Sequence, residues 1–111
     1  MDEILAALES VQAGQPSPRK PILVKVAPDL SFAALDEILE LAERRHLAGI
    51  VATNTTITRP ASNDPNATRV YAESGGLSGR PLRARSTEVI RHLHQQTAGK
   101  IPIIGVGGIF T

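Results

Sequence analysis

The sequence predicts an α/β fold, a partial (β/α)8 (TIM) barrel holding about three β/α units of a larger barrel. Three observations carry this. Short apolar runs at Ile22–Ala27, Ile50–Ala52 and Ile101–Val106 alternate with helical patterns, the rhythm that parallel strands joined by crossover helices produce. The runs starting near Ile22 and Ile50 lie one β/α unit apart, as in a barrel. The run Ile50-Val51-Ala52 turns polar without a charge at Thr53, Asn54, Thr55 and Thr56, which delivers hydrogen-bonding side chains at the C-terminal end of a strand, where ligands sit in such folds. Three strands cannot close a barrel, and the terminal glycines have no following helix. Residues 1–111 are therefore expected to form one piece of a single barrel domain.

Composition bounds the function. With 41% hydrophobic and 21% charged residues the chain reads as globular and soluble. A net charge of +1 and 3% aromatic residues give no case for nucleic acid. The absence of cysteine excludes disulfides, thiolate metal sites and a cysteine nucleophile. No apolar run approaches the roughly 20 residues needed to cross a bilayer, and the acidic start at Asp2 and Glu3 is unlike a secretory signal. The clustered Arg80, Arg83, Arg85 and Arg91 are candidates for phosphate.

The elements follow in order. Asp2–Gln12 reads as a helix with Ile4, Leu5, Leu8 and Val11 on one stripe and Gly14 to end it. Gln15–Lys20, with its two prolines, is a loop. Ile22–Ala27 is too continuously apolar for a half-exposed strand and is expected to be buried on both faces apart from Lys25, which either snorkels to solvent or serves a bound anion or electron-rich ring. Ser31 caps a helix whose apolar stripe is Ala34, Leu35, Ile38, Leu39, Leu41 and Ala42, leaving Asp36 and Glu40 on a solvated face and His46 as a partner for the helix C-terminal dipole.

From Ile57 to Gly79 almost no periodicity is visible, and a connection of roughly 20 residues is usually a lid or binding loop. Gly75, Gly76 and Gly79 around Ser78 let the main chain approach a ligand, although glycine clusters also occur in merely flexible loops. A third helix is expected over Thr87–His94 after Pro81 and Ser86, with Val89, Ile90 and Leu93 inward. His92 and His94, two apart, fall on different faces and do not share a metal. The last strand breaks into Gly105-Val106-Gly107-Gly108, whose amides can cradle a phosphate without the lysine and spacing of a nucleoside-triphosphate loop.

Four segments together carry a resemblance. Val24-Lys25-Val26-Ala27-Pro28-Asp29-Leu30, Thr53-Asn54-Thr55-Thr56, Gly75-Gly76-Leu77-Ser78-Gly79-Arg80-Pro81-Leu82 and Ile101-Pro102-Ile103-Ile104-Gly105-Val106-Gly107-Gly108 occur in the order found in dihydroorotate dehydrogenases. The double threonine and Arg80-Pro81-Leu82 resemble the quinone-linked class 2 enzymes more than the soluble class 1 enzymes. The resemblance implies an FMN-containing barrel that oxidises dihydroorotate to orotate in pyrimidine synthesis and passes electrons to a membrane quinone. It implies flavin contacts for Lys25 and Thr53, pyrimidine contacts for Asn54 and Thr55, and amides from Gly79 with Ser78 and from Gly108 with Gly107 for the flavin phosphate.

The family's serine base belongs to the N-terminal half of the barrel and is missing here, so the chain alone is expected to be inactive. The quinone-tunnel helices are missing too, so peripheral association with the cytoplasmic face of a bacterial membrane, or with the mitochondrial inner membrane, would run through segments absent here. Asn63–Arg69 departs from many relatives in being longer and more polar. A class 1 or dihydropyrimidine dehydrogenase-like barrel is the second enzyme reading, and a non-catalytic flavin- or phosphate-binding module is the rival outside catalysis.

Overall fold

The computed structural model describes Met1–Phe110. Helix α1, Asp2–Ala13, has two acidic residues in its first turn to complement the helix dipole and ends at Gly14. Only Leu5 of its expected stripe is buried, while Ile4, Leu8 and Val11 are exposed. Arg45 ties α1 to the end of the next helix, with Nε 2.8 Å from Asp2 and Nη1 2.9 Å from Glu9.

Strand β1, Leu23–Val26, leads through a tight turn into α2, Phe32–Arg44. The Ser31 hydroxyl accepts the Ala34 N–H at 3.1 Å, so the expected cap is formed. At the other end His46 adopts a positive φ of 51° and the Leu47 N–H reaches back to the Ala42 carbonyl at 2.9 Å, a left-handed closure more often made by glycine. Strand β2 follows at Gly49–Ala52, then α3 at Pro65–Tyr71, α4 at Arg80–Thr97 and β3 at Ile103–Gly105.

The three strands are parallel in the order β1-β2-β3, with Val24, Ile50 and Ile103 in one row and Val26, Ala52 and Gly105 in another. Helices α2 and α4 pack side by side on one face. The core between them and the sheet is Val26, Leu35, Leu39, Ile50, Ala52, Val89 and Leu93. Each large apolar side chain buried there is worth about 1.5–3 kcal/mol.

The opposite face corrects the expectation of two-sided burial. Leu23 and Lys25 alternate with the core-facing Val24 and Val26, and Leu23, Ile104 and Val106 stay at least 40% exposed. No helix or strand among the described residues covers that face. The radius of gyration of 16.6 Å exceeds the roughly 13 Å of a compact domain of this length, consistent with an α1 that contributes little to the core.

Two further corrections concern helices. The segment after β2 is not wholly irregular: Asp64 caps α3 by accepting the Asn66 N–H at 2.9 Å, and Pro65 occupies its first turn, where a missing N–H is harmless. Helix α4 starts seven residues earlier than Thr87, at Arg80, because Pro81 is likewise a first-turn proline and not a breaker. Asp36, expected on a solvated face, hydrogen-bonds His92 Nε2 at 2.7 Å across the α2–α4 contact, with the His92 ring stacked on Phe32 at 4.4 Å.

Leu35→Ala should lower the unfolding free energy by about 2–5 kcal/mol in urea titrations, since the side chain is fully enclosed. Ala98 ends α4 at φ +49°, so Ala98→Gly should raise stability by about 0.5–1 kcal/mol. An unchanged midpoint for either variant would contradict this packing.

Candidate functional site

The sheet's hydrogen bonding continues beyond the last residues of the strands. The Val106 N–H reaches the Ala52 carbonyl at 2.6 Å, the Thr53 N–H reaches the Val106 carbonyl at 2.8 Å, and the Asn54 N–H reaches the Val26 carbonyl at 2.8 Å. The Ala52–Thr53 peptide is cis. Thr53 is thus held between the ends of β1 and β3 and is 2% exposed, yet among the described residues its hydroxyl is buried with no hydrogen-bond partner. Such a group costs about 1–3 kcal/mol unless something completes it.

Asn54 and Thr55 follow on the surface, with the Asn54 side-chain oxygen accepting the Thr55 N–H at 2.9 Å. Lys25 is exposed on the open face of β1, opposite Val51 in register.

The glycines come together at the start of α4. Gly79 is its N-cap residue, at φ +78°, with no side-chain cap bond. Gly108, at φ +65°, packs so tightly that a Cβ would fall 2.5 Å from the Gly79 carbonyl oxygen and 2.8 Å from the Arg83 Cα. Gly107 lies against Leu82 and Ser86, and the Ser86 hydroxyl pins the exit of β3 by donating to the Val106 carbonyl at 2.9 Å. A Cβ on Gly79 would meet nothing within 4 Å, so its outer side is open. The start of an 18-residue helix therefore stands at an accessible notch lined by backbone, a place where the helix dipole favours an anion. Ser78 stands exposed beside it.

Beyond Thr55 the loop is anchored at Thr56. Thr56 and Leu77 exchange two backbone hydrogen bonds at 3.0 and 2.8 Å. Asp29 accepts from the Thr56 hydroxyl, from the Ile57 N–H at 3.1 Å and from the Thr58 hydroxyl at 3.1 Å. Partial burial would raise the Asp29 pKa, but these bonds, led by Thr56, outweigh it and hold the carboxyl below its ordinary value. A cleft of about 410 Å³ opens between this anchor and α4, bordered by Pro28, Asp29, Thr58, Leu77, Leu82 and Arg85. None of the sequence-predicted cofactor or substrate residues lines it.

The arginine cluster is dispersed. Arg85 donates to the carbonyls of Pro28 and Leu30, both at 2.8 Å, and lies over the Phe32 ring at 4.8 Å. Arg80 lies 5.6 Å from the Phe110 ring centre. Residues that sequence reasoning missed are Asp29, Arg59 and Ser86, and Arg85, expected for phosphate, instead holds main-chain carbonyls. Asp29, next to Pro28 at a strand end, could have been flagged as a loop anchor. Arg59 carried no signal, because its partners are main-chain carbonyls.

The family model for dihydroorotate dehydrogenase matches residues 1–111. The chain belongs to the dihydroorotate dehydrogenase family. It is 54% identical over 111 residues to a quinone dihydroorotate dehydrogenase of Synechococcus sp. (strain JA-3-3Ab), covering 97% of this chain and 28% of the relative. A second, from Synechococcus sp. (strain JA-2-3B'a(2-13)), is 50% identical and is matched over 100% of this chain and 31% of its own length. The dihydroorotate dehydrogenase of Eimeria tenella, solved in complex with ferulenol, superposes with a TM-score of 0.84 at 34% identity over 99% of this chain and 33% of that one. The chain thus spans about a third of the length of the family members it matches. The expectation of part of a (β/α)8 barrel is borne out by this superposition.

A lowered folded pKa makes Asp29 stabilising above the ordinary carboxylate value of about 3.9, and that contribution disappears as pH falls through the folded value. Asp29→Asn should therefore be less stable at pH 6 and show a shallower loss of stability between about pH 5 and 3 in urea titrations. Parallel acid limbs for the two proteins would show that the carboxylate is not an anchor.

Proposed function

We propose that these residues form one side of the flavin and pyrimidine site of a quinone-dependent dihydroorotate dehydrogenase, with FMN as cofactor, dihydroorotate as substrate and a quinone as electron acceptor. The observation that carries the reading is the convergence, at the C-terminal ends of parallel strands, of the Gly79–Gly108 notch with the unpartnered Thr53 hydroxyl. The quinone dehydrogenases among the relatives favour this class over a class 1 or dihydropyrimidine dehydrogenase-like barrel.

The residues fit FMN. A phosphate needs amide donors without side chains in the way, and Gly79 is open on its outer side while Gly108 admits no Cβ. A flavin ring offers the hydrogen-bonding edge that the buried Thr53 hydroxyl lacks. When bound, the flavin supplies a two-electron acceptor for the hydride lost by dihydroorotate and returns the electrons to quinone.

The roles of the chain's own side chains follow. Gly79, Gly107 and Gly108, with Ser78, bind the phosphate end. Thr53 orients the ring, and the Lys25 ammonium favours added negative charge on it. Asn54 and Thr55 offer a carboxamide and a hydroxyl to the alternating carbonyl and N–H groups of the pyrimidine. Their task is binding and orientation. Removal of the substrate proton is assigned to no residue of this chain. Among the described residues no helix is long and apolar enough to cross a membrane, and the proposed peripheral membrane association runs through other segments.

FMN titration followed by flavin fluorescence tests this reading. Saturable binding is expected, weakened about tenfold or more by Gly108→Ala, which corresponds to about 1.4 kcal/mol or more, and less by Lys25→Ala. Binding that both substitutions leave unchanged would contradict it.

A further inference from the structure

A single side chain bridges both ends of the long excursion between β2 and α4. Arg59, half buried, donates Nε–H to the Tyr71 carbonyl at 3.0 Å, Nη1–H to the Thr56 carbonyl at 3.2 Å, and Nη2–H to the Gly75 and Glu73 carbonyls at 2.5 and 3.3 Å. One guanidinium thus holds main-chain oxygens from both ends of the excursion. Its fixed planar fork suits this task, whereas a lysine ammonium, with three tetrahedral donors, cannot span the same acceptors.

The clamp bears directly on Thr55. Gly76 follows the clamped Gly75 and precedes Leu77, which pairs with Thr56. A Cβ on Gly76 would fall 1.8 Å from the Thr55 Oγ1 and 2.4 Å from its Cβ, so the Gly76 main chain lies flat against the Thr55 side chain. From the other side Asp29 secures Thr56, Ile57 and Thr58. Thr55 sits between two anchors with its hydroxyl backed by a residue that tolerates no side chain.

We propose that Arg59 is a positioning residue for pyrimidine binding: by gathering the Tyr71–Gly75 carbonyls it sets Gly76 against Thr55 and so fixes the Thr55 hydroxyl for the ligand ring. This rests on the reading of Asn54 and Thr55 as pyrimidine contacts. Arg59 itself touches no ligand in this scheme, and the flavin-phosphate notch at Gly79 and Gly108 does not depend on it.

The test uses the full 111-residue chain, isotopically labelled, as wild type, Arg59→Gln, Arg59→Lys and Gly76→Ala. Amide exchange at Thr56 and Leu77 and the Thr55 methyl resonance report the clamp, titration with orotate and separately with FMN reports binding, and α4 amide protection reports the fold. Arg59→Gln should speed exchange at Leu77 at least tenfold, move the Thr55 methyl signal and weaken orotate about tenfold with FMN affinity unchanged, and Arg59→Lys should fall between it and wild type. Unchanged Thr55 and Leu77 signals would overturn the proposal, as would altered signals with wild-type orotate affinity. Should Arg59→Gln lose α4 protection, Gly76→Ala, which leaves the clamp residue intact, decides: it should displace Thr55 and weaken orotate, and retained affinity refutes the role. Failure of the wild type itself to bind orotate would instead remove the pyrimidine reading, and the proposal with it.

Discussion

Strand β2 hydrogen-bonds to both neighbours at and just beyond its last residue, through Ala52 and Thr53 to Val106 on one side and through Asn54 to Val26 on the other. Parallel pairing leaves no choice about which ends meet, because all three strands finish at the same edge of the sheet. These bonds place Thr53 under cover and Asn54 and Thr55 at the surface. They also bring the glycines after β3 beside the start of α4, where the Gly79 carbonyl and the Arg83 backbone close on Gly108. The site is therefore a property of backbone pairing first and of side chains second.

The helices serve that edge from one face only. α2 and α4 bury Leu35, Leu39, Val89 and Leu93 against Val26, Ile50 and Ala52. They are locked to each other by the Asp36–His92 hydrogen bond and by the Phe32–His92 stack. Arg85 extends the lock to the strand end by holding the carbonyls of Pro28 and Leu30. The face that carries Lys25, Ile104 and Val106 remains open. A family member that this chain matches over about a third of its length supplies a simple context for that face, since barrel strands direct alternate side chains inward to a shared core.

How much was legible in the sequence depended on the kind of signal. Short continuous apolar runs gave all three strands and a period-3.6 pattern gave α2, and the Ser31 cap was visible because capping is local chemistry. The Thr53–Thr56 run and the glycines from Gly105 to Gly108 were correctly located at strand ends. The start of α4 was misjudged because prolines are ambiguous, breaking a helix interior yet favouring a first turn. Pro81 is in the first turn, and Asp64-Pro65 at α3 has the same logic. Exposure of the second sheet face could not be read, since an apolar strand looks the same whether or not its cover lies within the chain. Arg59 was invisible for another reason: it acts across the excursion on partners that no local pattern announces.

The central claim is that backbone amides at the start of α4 bind the phosphate of a flavin while the strand ends hold its ring. Amide chemical-shift mapping of the labelled chain with FMN, compared with riboflavin, which lacks the phosphate, tests it most directly. The account predicts that FMN shifts the amides of Gly79, Gly107 and Gly108 together with Thr53, and that riboflavin leaves the three glycines unmoved. Equal shifts at the glycines with both ligands, or shifts with FMN confined to surfaces away from α4, would contradict it.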